Sequence, residues 1–276
     1  MPELPEVETV RRYLAPVLEG AVLLAAEVRH ARTARRNARP TDLADRLAGR
    51  RAGEVRRQGK FLLVDLDGDL IWVTHLGMSG RVQVARHGEM EAPHTHLRVL
   101  TDRDEEVRLV DPRTFGFAAV FTPEEYAASS LAGLGPDAYT DLPRAAALAA
   151  RMAGRRVPIK ALLLDQRFLA GLGNIYADEV LHRAGVVGSR AAGTLDRGEV
   201  KRLRAAIPPI LEAGIRSGGT SLADLAYLLP DGRAGGYLAR LRVYGREGEP
   251  CRTCGTPLRR SVIAARSSYW CPACQR

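Results

Sequence analysis

The chain has 276 residues, 46% of them apolar and 26% charged, with no run of about eighteen apolar residues. This argues against a membrane-spanning helix and against a disordered chain, and it leaves room for more than one folded region. The opening Met1-Pro2-Glu3-Leu4-Pro5 has no leader-peptide pattern, so a cytoplasmic protein that avoids membranes is expected.

The formal charge of +9 favours a polyanionic partner, with nucleic acid the leading case. Three lysines (Lys60, Lys160, Lys201) stand against 38 arginines, however, and compositional bias alone would produce the same basicity. The bias draws attention to Lys60 and Lys160, because both stayed lysine in a chain that otherwise uses arginine.

Apolar residues at Val7, Val10, Leu14 and Val17, with Pro5 in the first turn, predict an amphipathic helix from Pro5 to Leu18. From 21 to 122 the pattern changes to short apolar runs separated by glycine-rich and charged turns. Phe61-Leu62-Leu63-Val64, Leu70-Ile71-Trp72-Val73 and Phe117-Ala118-Ala119-Val120 are examples, and together they predict a β-sandwich or flattened barrel. Beyond Pro123 helical spacing returns, at about 123–130, 143–152, 158–166, 174–184 and 197–217. Residues 214–245 are so rich in glycine that a mobile loop beside the site is expected there.

All four cysteines fall in the last 26 residues, as Cys251-x2-Cys254, sixteen intervening residues, then Cys271-x2-Cys274. This spacing predicts one structural Zn2+ bound by four thiolates, with no coordination position left for a catalytic water. Between the two pairs, residues 258–263 and 266–270 read as a hairpin with arginine at its tip. Such a ribbon either enters a DNA groove or merely caps the fold.

Removal of Met1 would leave Pro2 as a free secondary amine. An α-amino group has a pKa near ~7.7, low enough to be partly neutral and nucleophilic at neutral pH. Glu3 beside it suits general acid/base work, and Glu6 follows one turn later on the same face. Taken alone, the same residues also read as a helix start with acids favoured by the helix dipole.

Six motifs occur in one order: Pro2-Glu3-Leu4-Pro5-Glu6-Val7-Glu8, His75-Leu76-Gly77-Met78-Ser79-Gly80, Asp111-Pro112-Arg113-Thr114-Phe115-Gly116, Gly171-Leu172-Gly173-Asn174-Ile175-Tyr176-Ala177-Asp178-Glu179, Val243-Tyr244-Gly245-Arg246, and the cysteine pairs. The ordered set spans nearly the whole chain and resembles the formamidopyrimidine-DNA glycosylase family. The resemblance implies an α+β fold in three parts. These are a catalytic β-sandwich with an N-terminal helix (1–131), a helix-two-turn-helix DNA-binding region (132–238) and a C-terminal zinc-finger hairpin (239–276).

It also implies site roles. Pro2 would be the Schiff-base nucleophile, Glu3 the acid/base, and Lys60 the hairpin lysine that grips phosphates and assists catalysis. Met78, Arg113 and Phe115 match the wedge that fills the space left by an extruded nucleotide, a role suited to a flexible thioether, a guanidinium and a flat ring. Without the resemblance, Met78 and Phe115 read as core. Lys160, Asn174 and Arg266 match residues that touch the DNA backbone, His75 and Tyr244 fall in matching motifs, and Glu6 is placed near the extruded base.

Thr114 departs from the basic residue expected at its position, and 221–237 is longer and more apolar than expected for the segment that closes over an oxidised purine. The resulting expectation is a monomeric bifunctional DNA glycosylase and lyase acting on duplex DNA with a damaged base or abasic site. It would excise oxidised purines and cleave the strand by β- and δ-elimination, with no diffusible cofactor. The alternatives are the endonuclease VIII branch, whose motif usually has glycine where this chain has Leu4, a non-catalytic damage-binding protein, and a zinc-ribbon protein of RNA or ribosomes.

Overall fold

The structure is a computed structural model that describes every residue except 223–226; Leu225 and Ala226 of the apolar loop segment therefore lie outside the described residues. The described residues form two compact units, Met1–Gly133 with Ile215–Leu238, and Leu134–Gly214 with Ala239–Arg276.

The first unit opens with α1 (Leu4–Leu18), which buries Val7, Val10, Leu14 and Val17 as their spacing predicts. Glu8 sits on the same helix and is shielded from water, yet it accepts from Arg11 (2.9 Å), Arg12 (2.8 Å) and Arg57 (3.2 Å). Burial alone would raise its carboxyl pKa, but the guanidinium groups outweigh burial and hold it below the usual range.

Eight strands follow, with α2 (Pro40–Leu47) between the first two: β1 (Leu23–Val28), β2 (Ala52–Gln58), β3 (Phe61–Leu66), β4 (Leu70–His75), β5 (Arg81–Arg86), β6 (Thr95–Thr101), β7 (Glu105–Val110) and β8 (Phe117–Phe121). They form two antiparallel four-stranded sheets, ordered β1-β6-β7-β5 and β2-β3-β4-β8. A shared core of Leu62, Val64, Trp72, Val82, Leu97, Val107, Leu109 and Val120 joins them, and α1 lays Val10 and Leu14 into it. Burying a large apolar side chain of this kind is worth about 1.5–3 kcal/mol.

In the second sheet, Phe61 pairs with His75 and His75 with Phe117. This register brings the β2–β3 turn carrying Lys60, the 76–80 loop and the 111–116 loop to one end of the sheet. Short α3 (Pro123–Ala128) closes the run of strands.

The second unit holds α4 (Ala145–Met152), α5 (Ile159–Leu164), α6 (Asn174–Ala184) and most of α7 (Arg197–Arg216). Its apolar interior includes Leu148, Ile159, Leu163, Tyr176, Val180, Leu203 and Leu211. α6 ends at Gly185, whose φ of +72° lets its N–H turn back to the carbonyls of Leu181 and His182. β9 (Arg259–Ile263) and β10 (Arg266–Trp270) make the predicted hairpin. Ala264 and Ala265 both have positive φ, the geometry of a two-residue turn matched to strand twist.

The described residues of 214–245 correct the expectation of an unpacked loop. Tyr227 is buried in the first unit's core, Leu229 packs against that core, and Tyr237 is buried as well. Ser221 Oγ donates to Tyr227 O (2.7 Å) and accepts from Gly235 N (2.8 Å), while Asp231 and Arg233 bond to Tyr13 on α1. Tyrosine and leucine supply the burial that a glycine-rich composition hides.

Candidate functional site

The N-terminal residues are held from both sides. Pro2, Glu3 and Glu6 are buried, and the two oxygens of Glu6 accept backbone N–H groups from Glu3 (2.8 Å) and Thr220 (2.7 Å). A Cβ at Gly219 would come within 2.7 Å of Glu6 Cγ, and its φ is +83°, so the position requires glycine. Tyr227 donates its hydroxyl to Gly218 O at 3.1 Å, which steadies the same corner. Glu6 thus acts as a clamp between the N-terminus and the 218–220 turn.

At the end of the second sheet, Lys60 is 5% exposed and follows Gly59, whose φ is +57° and whose carbonyl accepts from Arg57 (2.9 Å). His75 packs between Phe61 and Phe117, with ring centroids 4.7 and 5.9 Å away. Its Nδ1 accepts from Gly77 N at 3.0 Å, which assigns the ring proton to Nε2. Burial, followed by the charges of Lys60, Arg35 and Arg36, lowers its pKa to about 4. At neutral pH His75 is therefore an uncharged N–H donor.

The loops carrying Met78 and Phe115 touch backbone to backbone. A Cβ on Gly77 would lie 2.3 Å from Gly116 N, and one on Gly80 would lie 2.3 Å from Leu76 O. Asp111 holds the pair together, accepting from Ser79 Oγ and Gly116 N, both at 2.7 Å. Arg35 donates to Phe115 O (2.9 Å) and Gly116 O (2.5 Å). The tip of this frame presents Phe115, 41% exposed, with the exposed Arg113 guanidinium 4.8 Å from its ring centre, and Met78 half-buried. A large apolar ring is thus held out by a rigid frame instead of sinking into a core.

In the second unit Lys160 is fully buried. Its Nζ lies 2.8 Å from Asp178 Oδ1 and donates to Ser267 O at 2.6 Å. Asp178 also accepts from Ser268 Oγ (3.0 Å) and Tyr269 N (2.9 Å), and burial, opposed by these partners, raises its pKa to about 6. Through these contacts the Lys160 ammonium joins α5 and α6 to β10. Glu179, next on α6, accepts from the backbone N–H groups of Arg242 (2.9 Å), Val243 (2.9 Å) and Tyr244 (3.0 Å).

Asn174 opens α6, and its Oδ1 has no hydrogen-bond partner among the described residues. The Tyr244 ring meets Tyr269 edge-on at 5.2 Å. Arg266 is exposed just past the hairpin turn.

The four cysteine Sγ atoms lie within 4.8 Å of one another, with separations of 3.4, 3.5 and 4.0 Å for Cys254–Cys274, Cys254–Cys271 and Cys251–Cys274. A tetrahedron with Zn–S near 2.3 Å has edges of about 3.8 Å, so the donor set fits one zinc ion.

Sequence reasoning passed over Arg35, Asp111, Asp178, Glu179, His182 and Tyr227. A detectable signal was present for two of them: consecutive acids in the otherwise apolar Ile175-Tyr176-Ala177-Asp178-Glu179-Val180-Leu181 require buried partners.

Models of known families match in chain order: the formamidopyrimidine-DNA glycosylase N-terminal domain at 1–118, that protein's H2TH domain at 134–225, and the zinc finger found in FPG and IleRS at 248–276. The chain belongs to the formamidopyrimidine-DNA glycosylase family. A formamidopyrimidine-DNA glycosylase of Gluconobacter oxydans is 44% identical, with all of both chains covered. MutM (FPG) protein from Thermus thermophilus superposes with a TM-score of 0.89 at 39% identity, covering 99% of this chain and 98% of that one. A Lactococcus lactis FPG mutant in complex with a Fapy-dG containing DNA gives a TM-score of 0.90 at 30% identity, with both chains fully covered. Family membership assigns the chain to the DNA glycosylases, and its cysteine cluster to one structural zinc. Among the described residues no helix is long and apolar enough to cross a membrane.

Proposed function

We propose that this chain is a bifunctional glycosylase and lyase that turns an oxidised purine, 8-oxoguanine or a formamidopyrimidine, out of duplex DNA, excises it and cleaves the strand. The observation that carries the reading is the N-terminal corner, where Pro2 and Glu3 are buried side by side and fixed by the Glu6 clamp. With Met1 removed, the Pro2 nitrogen attacks C1′ and the bond from C1′ to the base breaks. Glu3 protonates the sugar ring oxygen as the ring opens to an iminium. Loss of a C2′ proton then expels the 3′ phosphate, and a second elimination expels the 5′ phosphate. Zinc supplies no chemistry; its four thiolate ligands Cys251, Cys254, Cys271 and Cys274 fix the hairpin.

The remaining DNA-contact roles are those that the family resemblance implies. Lys60 holds phosphate beside the lesion, and His75 donates its Nε2–H to the DNA backbone. Met78, Arg113 and Phe115 fill the vacated stack. Asn174, Tyr244 and Arg266 bind backbone, with Lys160 positioning the hairpin from beneath. Glu6 sets the wall of the base pocket through the 218–220 turn. The functional division is 1–131, 132–238 and 239–276, and the enzyme acts as a monomer in the cytoplasm, on the nucleoid.

Borohydride trapping on a duplex with one 8-oxoguanine, followed by mass mapping, should place the adduct on Pro2. An adduct formed only with an oxidised-pyrimidine duplex would move the chain to the endonuclease VIII branch. Tight binding with no adduct on either would make it a non-catalytic damage binder.

A further inference from the structure

His182 lies two turns after Asn174 on α6, one turn after Glu179 and on the same face. The ring is buried, and its Nε2 lies 3.6 Å from Cys251 Sγ. Its Nδ1 is also shut away from solvent and has no hydrogen-bond partner among the described residues.

These two facts determine the ring's proton. A neutral imidazole has one N–H and one bare nitrogen. With the proton on Nδ1, a donor would be buried with no acceptor while the Nε2 lone pair faced the lone pairs of sulfur. A doubly protonated ring would orphan the same Nδ1–H. With the proton on Nε2, the N–H is directed at sulfur, and the group left alone is a bare acceptor, the less costly orphan.

The sulfur needs such a donor. Four thiolates around one Zn2+ carry a net charge of −2, and Cys251 is 3% exposed, so water screens little of its share. Thr253 N, within the knuckle itself, approaches Cys251 Sγ at 3.4 Å. His182 comes from 69 residues away in the chain.

We propose that His182 donates its Nε2–H to the Cys251 thiolate, as a positioning residue that ties α6 to the zinc knuckle and slows loss of the metal. Together with Glu179, which receives the N–H groups of 242–244, it gives α6 two polar ties to the C-terminal segment, one through backbone donors and one through a metal ligand. The inference rests on the zinc assignment and is independent of which lesion is excised.

The test uses the full zinc-loaded chain, with His182→Phe removing the donor at similar volume and His182→Gln keeping an N–H at a similar reach. Transfer of zinc to an excess of chromogenic chelator is timed after all three proteins are shown to hold one zinc. The expected result is loss faster by about tenfold in the phenylalanine variant, the lower end for outer-shell hydrogen bonds, and near the wild-type rate in the glutamine variant. Equal rates in wild type and the phenylalanine variant would overturn the proposal, and so would equally fast loss in both variants, which would reduce His182 to a packing residue. Two-bond 1H–15N correlation of the wild-type imidazole decides independently of any variant. A proton on Nε2 with a bare Nδ1 supports the donor, and a proton on Nδ1 excludes it.

Discussion

Lys60 and Lys160 are both nearly devoid of solvent contact, yet the two compact units put them to opposite use. Lys160 is neutralised in place: Asp178 faces its ammonium at 2.8 Å, and the pair fastens β10 to the helices. Lys60 lies near His75, whose imidazole is kept neutral at neutral pH first by burial and then by the charges of Lys60, Arg35 and Arg36. The lysine paired with Asp178 belongs to the scaffold, whereas Lys60 sits at the end of the second sheet beside His75.

The largest effect should come from the zinc knuckle. Structural zinc contributes roughly 10–16 kcal/mol of apparent binding energy in small modules. Chelation should therefore unfold the hairpin and abolish DNA binding in a gel-shift assay, while far-UV circular dichroism retains the signal of the first unit's sheets. Undiminished binding after proven zinc loss would mean that the hairpin makes no essential contact.

Removing the acid next to Pro2 should come next. Glu3→Gln should lower single-turnover base release by about 10²–10⁴-fold, the usual span for a positioned acid or base, with DNA affinity retained. A drop of less than tenfold would transfer the proton work to another group.

The two lysines separate further under substitution. Lys160→Met leaves Asp178 buried and unpaired, and should cost about 3–5 kcal/mol in urea unfolding. Lys160→Met with Asp178→Leu should recover much of that loss, because a buried pair is often replaceable by packed apolar groups. Lys60→Met should lower DNA affinity in a gel-shift assay. If Lys60→Met left DNA affinity unchanged, the contrast between scaffold and site would fail.

Much of this was legible in the sequence. Short apolar runs between turns and the apolar spacing of α1 marked the β-sandwich and its helix, and the paired cysteines marked the zinc. The His75-to-Gly80 motif marked the family, and its loop needs Gly77 and Gly80 because of backbone approaches of 2.3 Å. Partnership over long separations was hidden. Nothing local in Lys160 indicates that Asp178 will meet it, and the glycines around Tyr227 obscured an aromatic anchor that only the folded core reveals. Periodicity records which face of an element is buried; it does not record which charge meets which.

The smallest effect tests the neutrality of His75. Its pKa falls from 6.5 to about 4 on folding, so as pH drops below 6.5 the unfolded chain binds a proton that the folded ring resists. The associated stability is fully present above pH 6.5 and is lost as pH falls towards 4, in total about 3 kcal/mol at 1.36 kcal/mol per pKa unit. Urea unfolding of wild type and His75→Gln at pH 7, 5.5 and 4 should show the gap between the two proteins closing by that amount, and a constant gap would mean that the ring titrates normally. Binding gives the complementary result. A neutral Nε2–H donor needs no proton from solution, so affinity for a short duplex at pH 6 and pH 8 should respond to His75→Gln by the same factor. If the wild-type advantage grew on acidification, DNA would be recruiting a proton to the ring. His75 would then be a cation assembled by its ligand.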